Sequence, residues 1–295
     1  MSHKGAGTKG GGSSGQERFD QYYRRIYADR WDSLKAAMRE ESSPIELSCA
    51  LPSSDALKDP YYMDRASILA ALMLPVKEGS RVLDMCAAPG GKTLVLASKL
   101  NGTGSLVSND RSASRRSRLA KVLDTCLTPK ARESVRTTGH DSTTWSLYEK
   151  NAYDYILLDA PCSSERHVLN DAAELSIWSA TRPKRLAIQQ FAMLAAALDA
   201  AVEGGFILYS TCSINPIENE QVIEKLHRKR SGLFEEVSVE GMLDSIKEGP
   251  LTNIFNSLQV EELEHGQIVL PDRSQSSGPL FFCLLRKTHA DGGSL

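Results

Sequence analysis

From about residue 80 onward, short apolar runs alternate with helical stretches, and this alternation constrains the fold more than any other feature of the 295-residue chain. RVLDMCA precedes GGKTLVLASKL, SLVSND precedes SASRRSRLAKVLDTC, and SVRTTGHD and YDYILLDAP follow. A long helical stretch around RLAIQQFAMLAAALDAA comes next, then GGFILYSTCS and EQVIEKLHRKR. Strands separated by helices pair in parallel, so the pattern predicts a doubly wound, mostly parallel α/β sheet with helices on both faces. The late run PLFFCLLRK has no helix after it and is expected to be a final antiparallel strand at the sheet's end. In such open sheets, ligands sit beyond the carboxyl ends of the strands.

Residues 17–75 read as a helical segment ahead of a domain over 76–290. Phe19, Tyr22, Tyr23, Ile26 and Tyr27 recur at helical spacing, and Trp31, Leu34 and Met38 continue the run. These aromatic residues are expected to be core. Pro44, Pro52 and Pro60 break the next stretch, and YYMDRASILAALML predicts a second amphipathic helix ending near Pro75. Residues 1–16 are rich in Gly and Ser and are expected to be disordered.

Composition narrows the class. Hydrophobic residues make up 41% and charged residues 24%, which suits a packed core. The net charge of −2 excludes a coat of positive charge but not a local basic face. The six cysteines, Cys49, Cys86, Cys126, Cys162, Cys212 and Cys283, are scattered, with no C-x-x-C pair. Structural zinc and a disulfide framework are not expected, nor is any other metal. The N-terminus lacks a signal-peptide pattern, and no apolar run approaches membrane-spanning length. The expected compartment is the cytoplasm, with a mitochondrial location as the alternative for a eukaryotic source.

The first strand runs into Asp84, Met85, Cys86, Ala87, Ala88, Pro89, Gly90, Gly91, Lys92 and Thr93. Small residues and two glycines let a ligand approach the backbone, and the helix starting near Lys92 offers free N–H groups. A P-loop needs glycine where Cys86 stands, so a nucleotide-like cofactor without a triphosphate cradle is the better reading. Asp110 ends the second strand, where an acid can accept from both hydroxyls of a ribose. Asp141 ends the third and can accept from an adenine amino group, although such residues are often turn or cap residues. Arg115 lies one turn into the helix after Asp110, close to the same cofactor.

The fourth strand runs into Asp159-Ala160-Pro161-Cys162 and the fifth into Thr211-Cys212. Cys49, Cys126 and Cys283 are read as small buried hydrophobes. Cys162 and Cys212 instead sit among small polar residues and should face the ligand crevice. A thiolate adding to cytosine C6 makes C5 enamine-like, so that C5 can take a methyl group. An acid near N3, here Asp159, can stabilise the ring as charge develops. Thiolate suits the task because it is a strong nucleophile and a good leaving group. Its pKa must be lowered by positive charge or a helix N-terminus, and the helix after Asn215-Pro216 is expected to contribute.

LDMCAAPGGKT, LLDAPCSSERH and YSTCSINPIENE resemble the cofactor-loop, Pro-Cys and Thr-Cys motifs of the Sun (NOL/NOP/Sun) family of RNA cytosine-5 methyltransferases, over about Phe19 to Lys287. The resemblance implies a Rossmann-like class I methyltransferase fold with a seven-stranded sheet. It implies S-adenosylmethionine as cofactor, held against Cys86 to Lys92, Asp110, Arg115, Asp141 and Asp159. It makes Cys212 the nucleophile and Cys162 the cysteine that assists product release. FDQYYRRIYADRW and the tail QIVLPDRSQSSGPLFFCLLRK resemble the small branch that includes mitochondrial rRNA and tRNA enzymes. From the short N-terminal segment, the larger RNA-binding domain of bacterial members is not expected.

The expected substrate is RNA, rRNA or tRNA, with an accessory delivery protein plausible for so small a chain. Basic runs at Arg111 to Arg136 and at Arg182, Lys184 and Arg185 can track phosphates, or simply face solvent. Ser164, Glu165, Arg166 and His167 are candidates to line the base pocket, with His167 equally readable as a surface loop residue. Trp178 is a candidate to stack on the extruded base, but a buried aromatic is the favoured reading. A small-molecule or protein methyltransferase would not need both cysteines. A catalytically silent RNA-binding or ribosome-assembly factor on the same fold is the remaining alternative.

Overall fold

A computed structural model describes residues 14–51 and 55–289. The disorder expected of the tail falls, for residues 1–13, outside the described residues, as does Pro52. Gly15 and Gln16, assigned to that tail, belong to the first helix, α1 (Gly15–Tyr27). Its start is fixed by a capping box: the Ser14 hydroxyl accepts from Glu17 N–H, and the Glu17 carboxylate accepts from Ser14 N–H. Ala28, at φ 47°, splits the aromatic run, and α2 (Trp31–Arg39) follows. Phe19, Tyr23, Trp31, Leu34 and Met38 are all fully buried, as their spacing predicts.

β1 (Ile45–Glu46) and β2 (Tyr62–Met63) form a separate antiparallel pair. Asp64 then caps α3 (Arg65–Leu72), so Tyr61 to Met63 lie before the helix rather than in it. Nor is α3 amphipathic: Ala66 and every residue from Ile68 to Leu72 are buried. Only Arg65 and Ser67 are partly exposed, so α3 is a core helix rather than a surface one.

The alternation then unfolds as β3 (Arg81–Asp84), α4 (Gly91–Leu100), β4 (Ser105–Asn109), α5 (Ala113–Cys126), α6 (Pro129–Glu133), β5 (Val135–Thr138) and β6 (Tyr153–Asp159). It continues as α7 (Glu165–Asn170), α8 (Ala172–Ser176), α9 (Thr181–Ala200), β7 (Ala201–Thr211) and α10 (Glu220–Lys229). The late elements are β8 (Phe234–Glu236), α11 (Glu240–Glu248), α12 (Thr252–Phe255), β9 (Val260–Glu262), β10 (Gln267–Val269) and β11 (Leu280–Lys287).

One sheet runs in the order β5-β4-β3-β6-β7-β11-β10-β9, with β8 also paired to β11. The five strands from β5 to β7 are mutually parallel, and β11 is antiparallel to β7. The described sheet therefore has nine strands, not seven. β11 is antiparallel as expected but does not end the sheet. Its outer edge is covered at either end by three-residue strands, β10 along Leu280 to Phe282 and β8 along Leu285 to Lys287.

Successive strand residues face opposite sides. Val82, Leu106 and Leu157 pack on one face with α3, α4 and α5. Leu83, Val107, Ile156 and Leu158 pack on the other with α1, α2, α9 and α10. The N-terminal helices are thus part of the sheet's own core. Truncating Phe19 there to Ala would cost about 3–5 kcal/mol. Strand order reverses between β3 and β6, which opens a crevice beyond their carboxyl ends.

Candidate active site

The loop Cys86 to Gly90 leaves β3 at this reversal point and turns into α4. Gly90 has φ 126°, a conformation open to glycine. At Gly91 a Cβ would meet the Tyr61 ring at 2.9 Å, so the loop lies close under Tyr61 and Met63. A cavity here is lined by Asp84, Cys86 to Pro89, Gly91, Lys92 and Asp159. Cys86 is half-buried, and burial pushes its thiol well up, so it stays protonated.

A neighbouring cavity, also bounded by Cys86, is lined by Asp110, Arg111, Arg115, Asp141 and Ser142. Asp110 Oδ1 accepts from Ser112 N–H at 2.9 Å. Its Oδ2 is buried, takes no hydrogen bond, and lies 3.3 Å from the Arg115 guanidinium. Arg115 also donates to Ala88 O at 2.5 Å, so it ties Asp110 to the glycine loop. Asp141 Oδ1 accepts from Thr143 N–H and Oγ1, capping a turn, while its Oδ2 is 3.0 Å from Arg111. The Thr143 hydrogen bonds, with Arg111, hold its carboxyl below the usual range. Asp141 is therefore a cap residue and a cavity residue at once.

β6 and β7 are adjacent and in register, with Asp159 opposite Ser210. That register brings the next loops together. Cys162 Sγ lies 2.9 Å from Cys212 Sγ, and Ser164 Oγ is 3.3 Å from Cys212 Sγ. The hydrogen bonds from Cys162 and Ser164 lower the Cys212 pKa, and the same contact with Cys212, with burial, raises that of Cys162. The helix anticipated after Asn215-Pro216, α10, starts only at Glu220, beyond a stretch of turns. Cys212 is exposed and opens onto a 420 Å³ cavity with Asp64, Ser67, Ser164, Arg166 and His167, within the size range of small-molecule sites. On the other side, Cys162 lines a cleft with Trp178, Arg182 and Arg185.

Lys92 reaches across from α4 to donate to Asp159 Oδ2 at 2.8 Å, and Ser210 Oγ donates to Oδ1 at 2.9 Å. Burial opposes the Lys92 charge, but Asp159 and Cys212 outweigh it and raise its pKa, so it remains an ammonium ion. The sequence motif pointed Lys92 at the cofactor. In the structure it joins the glycine loop to the acid beside the cysteines.

Several expectations need correction. Glu165 does not line the base cavity: it is fully buried and turned beneath the cysteine loops. Arg166 does line it, but its guanidinium is held by the carbonyls of Glu40, Ser276 and Gly278. Cys126 and Cys283 are buried, whereas Cys49 is exposed. For Trp178 the favoured reading holds: it is 3% exposed and packs on Phe19 and Tyr22, so its indole is core at the cleft's floor.

The sequence reading missed the layer beneath the thiols. Ser163 and Ser213, each directly after a cysteine, are buried with Glu165, Glu218, Gln190 and Tyr23. Tyr23 donates to Glu165 from α1 at 2.6 Å, and Tyr27 to Ile214 O at 2.6 Å, so the N-terminal helix supports the Cys212 loop. Elsewhere, His227, Glu236 and His265 form the one three-residue group among the described residues whose ligand atoms all lie within 4.8 Å. Both imidazoles are within hydrogen-bonding distance of Glu236 Oε1.

Comparison with known proteins gives a consistent picture. The chain is 39% identical over 234 residues to the 5-cytosine rRNA methyltransferase NSUN4 of Bos taurus, covering 77% of this chain and 59% of that one. It is 30% identical over 249 residues to the mitochondrial tRNA (cytosine(34)-C(5))-methyltransferase of Danio rerio, covering 83% and 65%. The chain thus spans about 60% of the length of these curated relatives. A solved methyltransferase homolog from Pyrococcus horikoshii superposes with a TM-score of 0.61 at 20% identity, covering 92% of this chain and 95% of that one, which establishes the fold. Residues 71–275 match the sequence profile of the 16S rRNA methyltransferases RsmB/F, and the chain belongs to that family.

Proposed function

We propose that this protein transfers a methyl group from S-adenosylmethionine to C5 of a cytosine in rRNA or tRNA, through a covalent bond between Cys212 Sγ and cytosine C6. The observation that carries this reading is the contact of two thiols, 2.9 Å apart, at the carboxyl ends of adjacent strands. Its support is the named activity of the relatives and the fit of the remaining residues.

The cofactor fit rests on unused capacity in the crevice. Asp110 Oδ2 is a buried acceptor with no hydrogen-bond donor, which a ribose hydroxyl would satisfy. Asp141 lines the same cavity as Asp110, the loop from Cys86 to Lys92 lines the neighbouring one, and Cys86 borders both. S-adenosylmethionine, when bound, supplies an electrophilic methyl group.

Cys212, with its lowered pKa, adds as thiolate to C6. The electron pair of the C5–C6 bond moves to C5, and negative charge spreads to the ring's N3 side. The Lys92 ammonium, fixed by Asp159, is placed to stabilise that charge, with Asp159 orienting the ring. Once C5 is methylated, its proton passes to a base, the C5–C6 double bond re-forms, and Cys212 leaves as thiolate. Cys162, whose raised pKa keeps it protonated, donates its S–H to the departing sulfur and so assists release. Arg182 and Arg185 flank the cleft beside Cys162 and can hold RNA phosphates.

The relative from Danio rerio is named mitochondrial, and a mitochondrial location is proposed here on that basis. No described helix is long and apolar enough to cross a membrane. Incubation with cellular RNA and methyl-labelled S-adenosylmethionine, followed by mapping of modified cytosines, tests the activity. Label confined to cytosine C5 is expected, and absence of transfer to any RNA would overturn it.

A further inference from the structure

Beneath the two thiols lies a pair of carboxyl groups that the reaction itself does not use. Glu165, on α7, and Glu218, before α10, are both fully buried. Every hydrogen bond to them comes from a neutral donor. Glu165 Oε1 meets the hydroxyls of Tyr23, Ser163 and Ser213, and its Oε2 accepts from Ile214 N–H at 3.2 Å. Glu218 Oε1 meets the hydroxyls of Ser163 and Ser213, and its Oε2 accepts from Ser163 N–H at 3.0 Å and Gln190 Nε2 at 2.9 Å.

The hydrogens do not suffice for two carboxylates. Ser163 Oγ contacts Glu165 Oε1, Glu218 Oε1 and Ser213 Oγ, yet has one proton to give. Ser213 Oγ contacts the same two carboxylate oxygens and also has one, while Asn215 N–H already donates to it. With both acids ionised, two serine protons would face four oxygen contacts in a buried site, and two like charges would share the same pair of hydroxyls. One further proton on Glu218 Oε1 raises the donors to three: both serine hydroxyls can then turn to Glu165 Oε1, the Glu218 O–H can donate to one serine oxygen, and no two charged oxygens compete for one hydroxyl. Glu218 is the better holder. Its other oxygen has two N–H donors, whereas Glu165 must accept from both Tyr23 and Ile214 and needs its charge for both oxygens.

We infer that Glu165 and Glu218 share a single proton, held on Glu218, and act as a positioning pair that sets the spacing of the two cysteine loops. The connection to the thiols is direct. Ser163 follows Cys162, Ser213 follows Cys212, and both serines are held by the same two carboxyl groups. Burial, reinforced by the Glu165 charge, pushes the Glu218 carboxyl up to about 7. The titratable groups facing it are Glu165 on α7, Cys162 after β6, Tyr209 on β7 and Tyr23 on α1. Burial, with the Glu165 and Glu218 charges, shifts Tyr23 up, and burial with the Glu218 charge shifts Tyr209 up, so Glu218 is the group here that changes charge near neutrality. Loss of the shared proton would place two carboxylates in mutual repulsion and loosen the serine bridges. The importance of this pair for catalysis rests on the methyl-transfer reading, whereas its effect on the oxidation of the two thiols does not.

The test is diamide oxidation of Cys162 and Cys212 to a disulfide in the full chain without RNA, followed by peptide mass spectrometry across pH. Glu218→Gln keeps a neutral group that donates to the serines and accepts from Ser163 N–H and Gln190. Its disulfide-forming rate should stay within about threefold of the unaltered protein near pH 6.5, and the ratio of the two rates should rise about fivefold or more by pH 8.5. Glu165→Gln, which presents an amide where a charged acceptor is needed, should be slowed about tenfold or more near pH 6.5. A flat ratio for Glu218→Gln across pH would overturn the shared proton, whether or not Glu165→Gln folds. Equal behaviour of two folded Gln variants would overturn its assignment to Glu218. Methyl transfer lost while these thiol rates follow expectation would count against the catalytic reading alone.

Discussion

Asp84 ends β3 at the edge of the cofactor crevice, 1% exposed, with Thr93 Oγ1 donating to it at 2.7 Å. Burial pushes its carboxyl from near 3.8 up to about 7, against the pull of the Thr93 hydrogen bond. Because the folded value lies above the unfolded one, the native state holds this proton more tightly. The resulting stability is full below the unfolded value and is lost as pH rises through about 7. At about 1.4 kcal/mol per unit, the loss between about pH 5 and pH 8 comes to about 2–3 kcal/mol. Asp84→Asn removes this titration, while its amide oxygen can still accept from Thr93. Urea unfolding followed by tryptophan fluorescence at both pH values isolates the effect, since other groups cancel between protein and variant. Relative to the unaltered chain, the variant should gain about 2–3 kcal/mol from pH 5 to pH 8. A difference that stays constant within about 0.5 kcal/mol would refute a buried, mostly protonated Asp84.

Three further outcomes are expected. Tyr23→Phe deletes the buried donor to Glu165 and should lower unfolding stability by about 2 kcal/mol in urea, where a loss under about 0.5 would contradict the contact. Asp110→Asn should weaken S-adenosylmethionine binding about tenfold or more by calorimetry, and unchanged affinity would remove Asp110 from the ribose site. Replacing Arg182 and Arg185 together by Ala should weaken RNA binding and flatten its salt dependence by about one to two in log–log slope. An unaltered slope would place the RNA elsewhere.

The parts of this protein legible in its sequence are those encoded locally. Apolar runs between turn residues marked β3, β4, β6 and β7, and a functional motif sits at each of their carboxyl ends. Cys162 and Cys212 could be expected in one crevice because they follow consecutive strands of the alternation, which pair as β6 and β7. The unread parts depend on contacts distant in sequence. Glu165 looked like a polar loop residue because its main partner, Tyr23, is 142 positions away. Two signals were available: serine directly after each cysteine, and glutamate in an otherwise neutral segment after Cys212. β8, β9 and β10 are three residues each, too short to show a period of two; β8 and β10 form on the edge that β11 offers, and β9 on β10. The α3 error had another cause. With Arg65 and Ser67 as its only polar residues, α3 carries no single apolar stripe to read, and only packing shows that its other residues are all buried.

The most direct test of the central claim is a denaturing-gel and mass-spectrometric assay for a covalent protein–RNA adduct in two single variants. Cys162→Ala, deprived of the S–H that assists departure, should accumulate an RNA adduct joined through Cys212. Cys212→Ala should form no adduct and transfer no methyl group. An adduct that persists in Cys212→Ala and vanishes in Cys162→Ala would contradict the assignment and make Cys162 the nucleophile.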